Sequence, residues 1–201
     1  EYIMEECVEA GVKKFIYLST VKAMAKPGEN CANEDWPGKP ESHYGQAKLA
    51  AEQAVLEAGI SSSMKATVLR PAMVYGAGGY SSLERLAKGI QMGWFPILPD
   101  TGNLRSFLNI DDLVNAIWLA AERSEANGKT YIVAYPKPHS GREVCELVRS
   151  MTPKKVISWH VSEKSLRNIG KIGDMLSSLF HRKLPINSHV VSRLLDSEHY
   201  T

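Results

Sequence analysis

Apolar residues in the opening stretch fall at Ile3, Met4, Cys7 and Val8, a spacing that places them on one helical face, and Gly11 stands where a helix C-cap is expected. The period then changes. Phe15-Ile16-Tyr17-Leu18 is a continuous apolar run ending in the hydroxyls of Ser19 and Thr20, which predicts a strand buried on both faces, as in a parallel sheet. Residues 22–39 hold Pro27, Gly28, Asn30, Asn33, Pro37 and Gly38 and read as a loop. Pro40 to Tyr44 opens a helix through Leu49, Ala50, Gln53, Ala54 and Leu56 to about Gly59, with Glu52 and Glu57 toward solvent. Lys65 to Leu69 is the next strand. Pro71, which has no amide to donate, belongs at its end.

The second half is more helical. Ser82 to Met92 is amphipathic, and the proline-broken run Trp94-Phe95-Pro96-Ile97-Leu98-Pro99 leads into a turn at Asp100-Thr101-Gly102-Asn103. Alternation from Leu104 to Ile110 predicts a short strand, and Asp111 is placed to N-cap a helix through Ala121. Thr130 to Val133 is a further strand. Ser140-Gly141-Arg142-Glu143 has capping-box spacing before Val144, Leu147 and Val148. Over residues 163–185, Leu166, Ile169, Ile172, Leu176 and Leu179 form a stripe opposite Lys164, Arg167, Lys171 and Arg182. Such a stripe suits a membrane surface or a partner. Because charge runs are usually solvated faces, the reading adopted is a helix packing on its own lobe. Residues 196–201 read as an end without a packed closing element.

Candidate chemistry centres on Ser42-His43-Tyr44-Gly45-Gln46-Ala47-Lys48. On a helix, Tyr44 and Lys48 lie one turn apart on one face. A free phenol is a poor base near neutrality, but a neighbouring cation favours its phenolate, so Tyr44 becomes a candidate acid/base. The same spacing also occurs as a half-buried ring beside a snorkelling lysine. The neighbours weigh against that plainer alternative: the pair follows a strand ending in Ser19-Thr20 and precedes Val68-Leu69-Arg70-Pro71-Ala72-Met73-Val74-Tyr75-Gly76.

In that order of motifs the chain resembles the extended short-chain dehydrogenase/reductases, and within them the nucleotide-sugar epimerase/dehydratase group. Leu104-Arg105-Ser106-Phe107-Leu108-Asn109-Ile110-Asp111-Asp112-Leu113 is a further match. The resemblance implies an α/β fold: the C-terminal part of a Rossmann-like doubly wound parallel sheet plus a smaller α/β substrate lobe. Residues 1–75 would be the remaining part of the dinucleotide-binding domain. Residues 76–201 would be mainly the sugar-nucleotide lobe, with 104–121 packing back on the Rossmann part. It further implies Tyr44 as acid/base, Lys48 holding the cofactor ribose and Thr20 bonding the reacting oxygen. Ser19 would share or replace Thr20, and the backbone about Pro71 and Val74 would meet the nicotinamide edge. Arg105 would contact a pyrophosphate through its planar fork, the alternative being an ion pair with a carboxylate such as Asp100. Glu34-Asp35-Trp36-Pro37 resembles the family's active-site loop, with loop ordering as its role here.

The implied activity is NAD-dependent epimerisation of a nucleotide sugar by transient oxidation of a ring hydroxyl. A dehydrogenase or reductase of a sugar nucleotide or other small alcohol is the rival reading, and a non-catalytic dinucleotide-binding relative is another. The resemblance disfavours a 4,6-dehydratase, whose relatives place an acidic pair directly after the strand-end hydroxyl, where this chain has Val21-Lys22. No strand is followed by a glycine-rich turn and a helix, and Gly76-Ala77-Gly78-Gly79 lies in the wrong loop. The reading is therefore of a fragment that is inactive alone. The position that separates NAD from NADP is not in it, so NADP stays open. Relatives imply a homodimer through residues 1–11 and 45–58.

Composition adds limits. The 201 residues are 44% hydrophobic, enough for a core, and the net charge of +2 gives no reason to expect nucleic acid as a partner. Cys7, Cys31 and Cys145 are odd in number and widely spaced, and neither they nor the six histidines have metal-ligand spacing. Reduced thiols, a cytoplasmic location and no membrane insertion are the expectations.

Overall fold

The computed structural model describes residues 2–77, 82–93, 95–152, 159–180 and 187–201. In chain order the elements are α1 (Tyr2–Glu9), β1 (Lys14–Leu18), β2 (Cys31–Ala32), α2 (His43–Ser61), β3 (Lys65–Pro71), β4 (Met73–Tyr75) and α3 (Ser82–Gln91). Then come β5 (Phe107–Asn109), α4 (Ile110–Glu122), β6 (Thr130–Val133), α5 (Gly141–Ser150), α6 (Glu163–Phe180), α7 (Ser188–Leu195) and β7 (His199–Tyr200). Two compact units result: residues 1–77, 106–137 and 199–201 form the first, and 78–105 with 138–198 the second.

The first unit is built on a parallel sheet of order β1-β3-β6, with Leu18 opposite Leu69 and Pro71 opposite Val133. Successive residues point to opposite faces. Phe15, Tyr17, Ala66 and Val68 accordingly pack with Met4 of α1 and Val55 of α2, while Ile16 and Leu69 pack with Ala120 of α4 on the other face. Helices on both faces of a parallel sheet make the unit doubly wound. β6 belongs to this unit, as do β5 and α4. The expectation that β1 is buried on both faces is not met: β3 is the buried strand, and Leu18 is 40% exposed. Among the described residues β1 has a sheet neighbour on one side only.

Local chemistry sets the boundaries. Gly11, at φ 70°, turns the chain after α1 in a conformation other residues resist. The N-cap of α4 is Asn109, whose side chain accepts the Asp111 amide at 2.9 Å, so Asp111 lies inside the first turn and is not the cap. The loop expected over 22–39 contains a 3-10 turn at Val21–Ala23 and the strand β2. β2 pairs in parallel with β7, and Tyr200 is buried with Val21, Met24 and Ala32. Residues 199–201 are thus packed, contrary to the sequence reading, because an apolar pocket formed by that loop receives the tyrosine.

Among its described residues the second unit is helical apart from isolated bridges at Ile97–His160, Arg105–His139 and Arg105–Glu198. Its core joins Ile90, Leu98, Cys145, Leu166, Val191 and Leu195. The capping box at α5 forms as read, with Ser140 and Glu143 bonded reciprocally. The expected packing stripe of α6 divides. Leu166 is buried but Ile169, Ile172 and Leu179 are exposed, and α6 turns Gly170 toward α7: a Cβ there would lie 3.0 Å from the Ser188 backbone. Trp94, Gly78, Gly79 and Arg182, named in the sequence reading, lie outside the described residues.

Candidate active site

α2 begins at a defined point because the Ser42 hydroxyl accepts the Gly45 amide at 3.0 Å, which places Tyr44 and Lys48 on consecutive turns. Tyr44 is 58% exposed. Lys48 is half-buried, its Nζ donating to the Leu18 carbonyl at 3.1 Å and standing 4.9 Å from the centre of the Tyr17 ring. The carbonyl and the π-face each favour a cation, so the ammonium is fixed at the C-terminal end of β1. In open α/β sheets that end of the strands is where ligands bind.

Thr20 follows immediately. Its backbone is extended, and its Oγ1 accepts the Lys22 amide at 3.2 Å as the cap of the 3-10 turn. That turn lies against the first turn of α2, so closely that a Cβ at Gly45 would be 2.1 Å from the Lys22 carbonyl oxygen. The absent side chain brings Thr20's turn and Tyr44's turn together. Pro71 and Val74 lie at the end of β3 and in β4, with Val74 registered against Leu108.

Two sequence expectations change here. Ser19 is buried, and its hydroxyl donates to the Glu52 carboxylate. Glu52 itself, read as solvent-facing, is 2% exposed. Arg70 Nε donates to its two oxygens at 3.0 and 3.2 Å, and Arg70 Nη2 donates at 2.6 Å. A helical wheel does not identify these partners, which come from strand ends, although Glu52 one turn beyond Lys48 is a usable signal. Glu34 orders its loop: its Oε1 accepts the Ile132 amide at 2.8 Å.

Arg105 belongs to the second unit and is engaged within it. Its Nη2 pairs with Glu198 Oε2 at 3.1 Å, and Nη1 donates to the carbonyls of Arg193 and Asp196 at 2.7 and 3.3 Å. The guanidinium is therefore in an ion pair, with Glu198 in the place suggested for Asp100. Among the described residues no group of three or more His, Cys, Asp or Glu side chains could hold a metal ion, and no helix is long and apolar enough to cross a membrane.

Known proteins resemble this chain in sequence and fold. The chain is 31% identical over 158 residues to UDP-glucose 4-epimerase of Vibrio cholerae, covering 74% of this chain and 45% of that protein. The crystal structure of Thermus thermophilus UDP-glucose 4-epimerase in complex with NAD superposes with a TM-score of 0.64 at 26% identity, over 79% of this chain and 54% of the other. MoeE5 in complex with UDP-glucose and NAD gives a TM-score of 0.68 at 27% identity, over 80% and 55%. The chain thus spans about half the length of these proteins. Residues 1–134, two thirds of the sequence, match the family as a whole, and the chain belongs to the NAD dependent epimerase/dehydratase family.

Proposed function

We propose that this chain carries the acid/base side of an NAD-dependent epimerase acting on a nucleotide-activated sugar, with Tyr44, Lys48 and Thr20 in the chemistry. The observation that carries the reading is Lys48 held on the Leu18 carbonyl one helical turn from the exposed phenol of Tyr44. The residues fit the nicotinamide-ribose end of a dinucleotide: a fixed ammonium and an exposed phenol stand at the C-terminal edge of parallel strands, beside the strand end at Pro71. NAD, when bound, supplies the hydride acceptor that later returns the hydride.

The chain's own residues move the proton. Tyr44 Oη takes it from a sugar hydroxyl and gives it back after the ring has presented its other face. Lys48 orients the ribose and places positive charge beside the phenol. Thr20, whose Oγ1 already accepts the Lys22 amide, has its own O–H left to donate to the reacting oxygen. Val74 and the backbone after Pro71 line the nicotinamide edge. Ser19 lies beneath this surface, its hydroxyl given to Glu52. Arg105 would reach a pyrophosphate only after leaving Glu198. A homodimer through residues 1–11 and 45–58 belongs to the same reading. It is supported by exposed Tyr2 and Ile3 on α1 and by the small exposed residues Ala47 and Ala50 on α2.

The test is steady-state turnover of UDP-hexoses by the full-length gene product with NAD. Interconversion without net NADH is expected, and Tyr44→Phe abolishes it while leaving nucleotide binding nearly intact. Net NADH would assign a dehydrogenase instead. Unchanged turnover in the Phe variant would remove Tyr44 from the mechanism.

A further inference from the structure

Tyr44, Lys48 and Glu52 are spaced i, i+4, i+8 and share one face of α2. Lys48 grips the Leu18 carbonyl, and Glu52, one turn on, grips the Ser19 hydroxyl. Two consecutive residues at the end of β1 are therefore held by two consecutive turns of one helix. The Ser19 amide is meanwhile tied to the Leu69 carbonyl at 2.8 Å, and Arg70 beside it holds the Glu52 carboxylate by Nε and Nη2. The next residue in the chain is Thr20.

We infer that Glu52 is a positioning residue for the reaction: through Ser19 it fixes where the Thr20 hydroxyl stands relative to Tyr44, and Arg70 fixes Glu52. The inference rests on the roles given to Thr20 and Tyr44 above. A purely stabilising role explains the cluster less well. Buried ion pairs return little net stability, because desolvating both charges offsets their attraction, and apolar substitutes of similar volume are often as stable. What a carboxylate supplies here and an apolar side chain cannot is a directed acceptor for the Ser19 hydroxyl at the site's edge. It also withdraws that hydroxyl from competition with Thr20 for the substrate oxygen.

The experiment compares Ser19→Ala, Glu52→Met and the double variant in the full-length gene product, methionine filling the volume of Glu52 with no carboxylate to accept from Ser19. Ser19→Ala removes one oxygen and leaves the Glu52–Arg70 pair, so it retains the fold. Each single variant lowers kcat about 10- to 100-fold, as displacement of a catalytic group by up to about 1 Å does, with KM for the UDP-sugar within about twofold. The double variant is no slower than the slower single, since both act along one path. A readout independent of turnover is the amide proton of Lys22, which donates to Thr20 Oγ1 and whose NMR resonance shifts in both variants. Unchanged kcat with only a lowered melting temperature would reduce the cluster to a structural role and overturn the inference. If the wild-type protein turns over no UDP-hexose, the epimerase reading fails, and the amide still decides: a Lys22 resonance unmoved in both variants sinks the positioning role.

Discussion

Replacing Gly45 by alanine sets helix propensity directly against packing. Gly45 is the third residue of α2, where alanine would favour the helix by roughly 0.5–1 kcal/mol. The added Cβ would, however, lie 2.1 Å from the Lys22 carbonyl oxygen and 2.8 Å from the Pro40 Cβ, where ordinary contact begins at 3.4 Å. The oxygen is backbone and cannot rotate away. Relief therefore requires the 3-10 turn after Thr20 to move more than about 1 Å from α2, and overpacking of this kind costs about 1–3 kcal/mol. Packing wins, and the expected net loss is about 1–2 kcal/mol. For a chain of this size that lowers Tm by about 2–8 °C, read by thermal melting under circular dichroism. The same displacement separates Thr20 from Tyr44, and in the reaction proposed above about 1 Å of misplacement between them would cost about 100-fold in kcat. A variant that melts at or above the wild-type temperature, with kcat intact, would refute the close approach of the two turns and the site built on it.

Two further outcomes are independent of the proposed activity. Cys145 is fully buried, and that burial pushes its thiol up from 9.0 to about 11, so the fold favours the protonated form. The stability this contributes is complete below pH 9 and is lost as pH rises toward 11, to a total of about 2–3 kcal/mol. Cys145→Ala should flatten that alkaline limb in pH-dependent urea unfolding, and an unchanged limb would assign it to other groups. At the N-terminus of α4, Asn109→Ala should cost about 1 kcal/mol through loss of the cap. Asp111→Ala should cost less, about 0.3–1 kcal/mol, because Asp111 meets only the helix field. The reverse order in denaturant titrations would return the cap to Asp111.

What can be read from the sequence is set by short-range rules. Ser140 and Glu143 form their box, a helix opens at Pro40 to Tyr44 and the apolar run at Phe15 becomes a strand, since each depends on residues within a few positions. What departs from the sequence reading depends on distant partners. Glu52 looks solvent-facing until Arg70 and Ser19 are brought to it from two strand ends. The apolar continuity of β1 describes its hydrophobicity and not its place beside β3, so the exposure of Leu18 is invisible in it. Asp111 and Asn109 can each cap a helix, and the choice turns on a helix start that lies two residues earlier than a cap at Asp111 would give. Arg105 offers two readings, and its carboxylate partner comes from Glu198, far along the chain.

The pairing of β7 with β2 also bears on how the protein is made. Tyr200 fills the pocket of Val21, Met24 and Ala32, so the loop that follows Thr20 is completed by residues synthesised long after it. Contacts between such remote positions form slowly, after the local helices and the neighbouring strands. On the ribosome, β1, α2 and β3 can assemble early, but the cluster of Val21, Met24 and Ala32 stays open until residue 200 has emerged. During that interval the apolar side chains of Val21, Met24 and Ala32 lack the tyrosine that covers them, and exposed apolar surface of this kind is prone to misassociation until the last residues arrive.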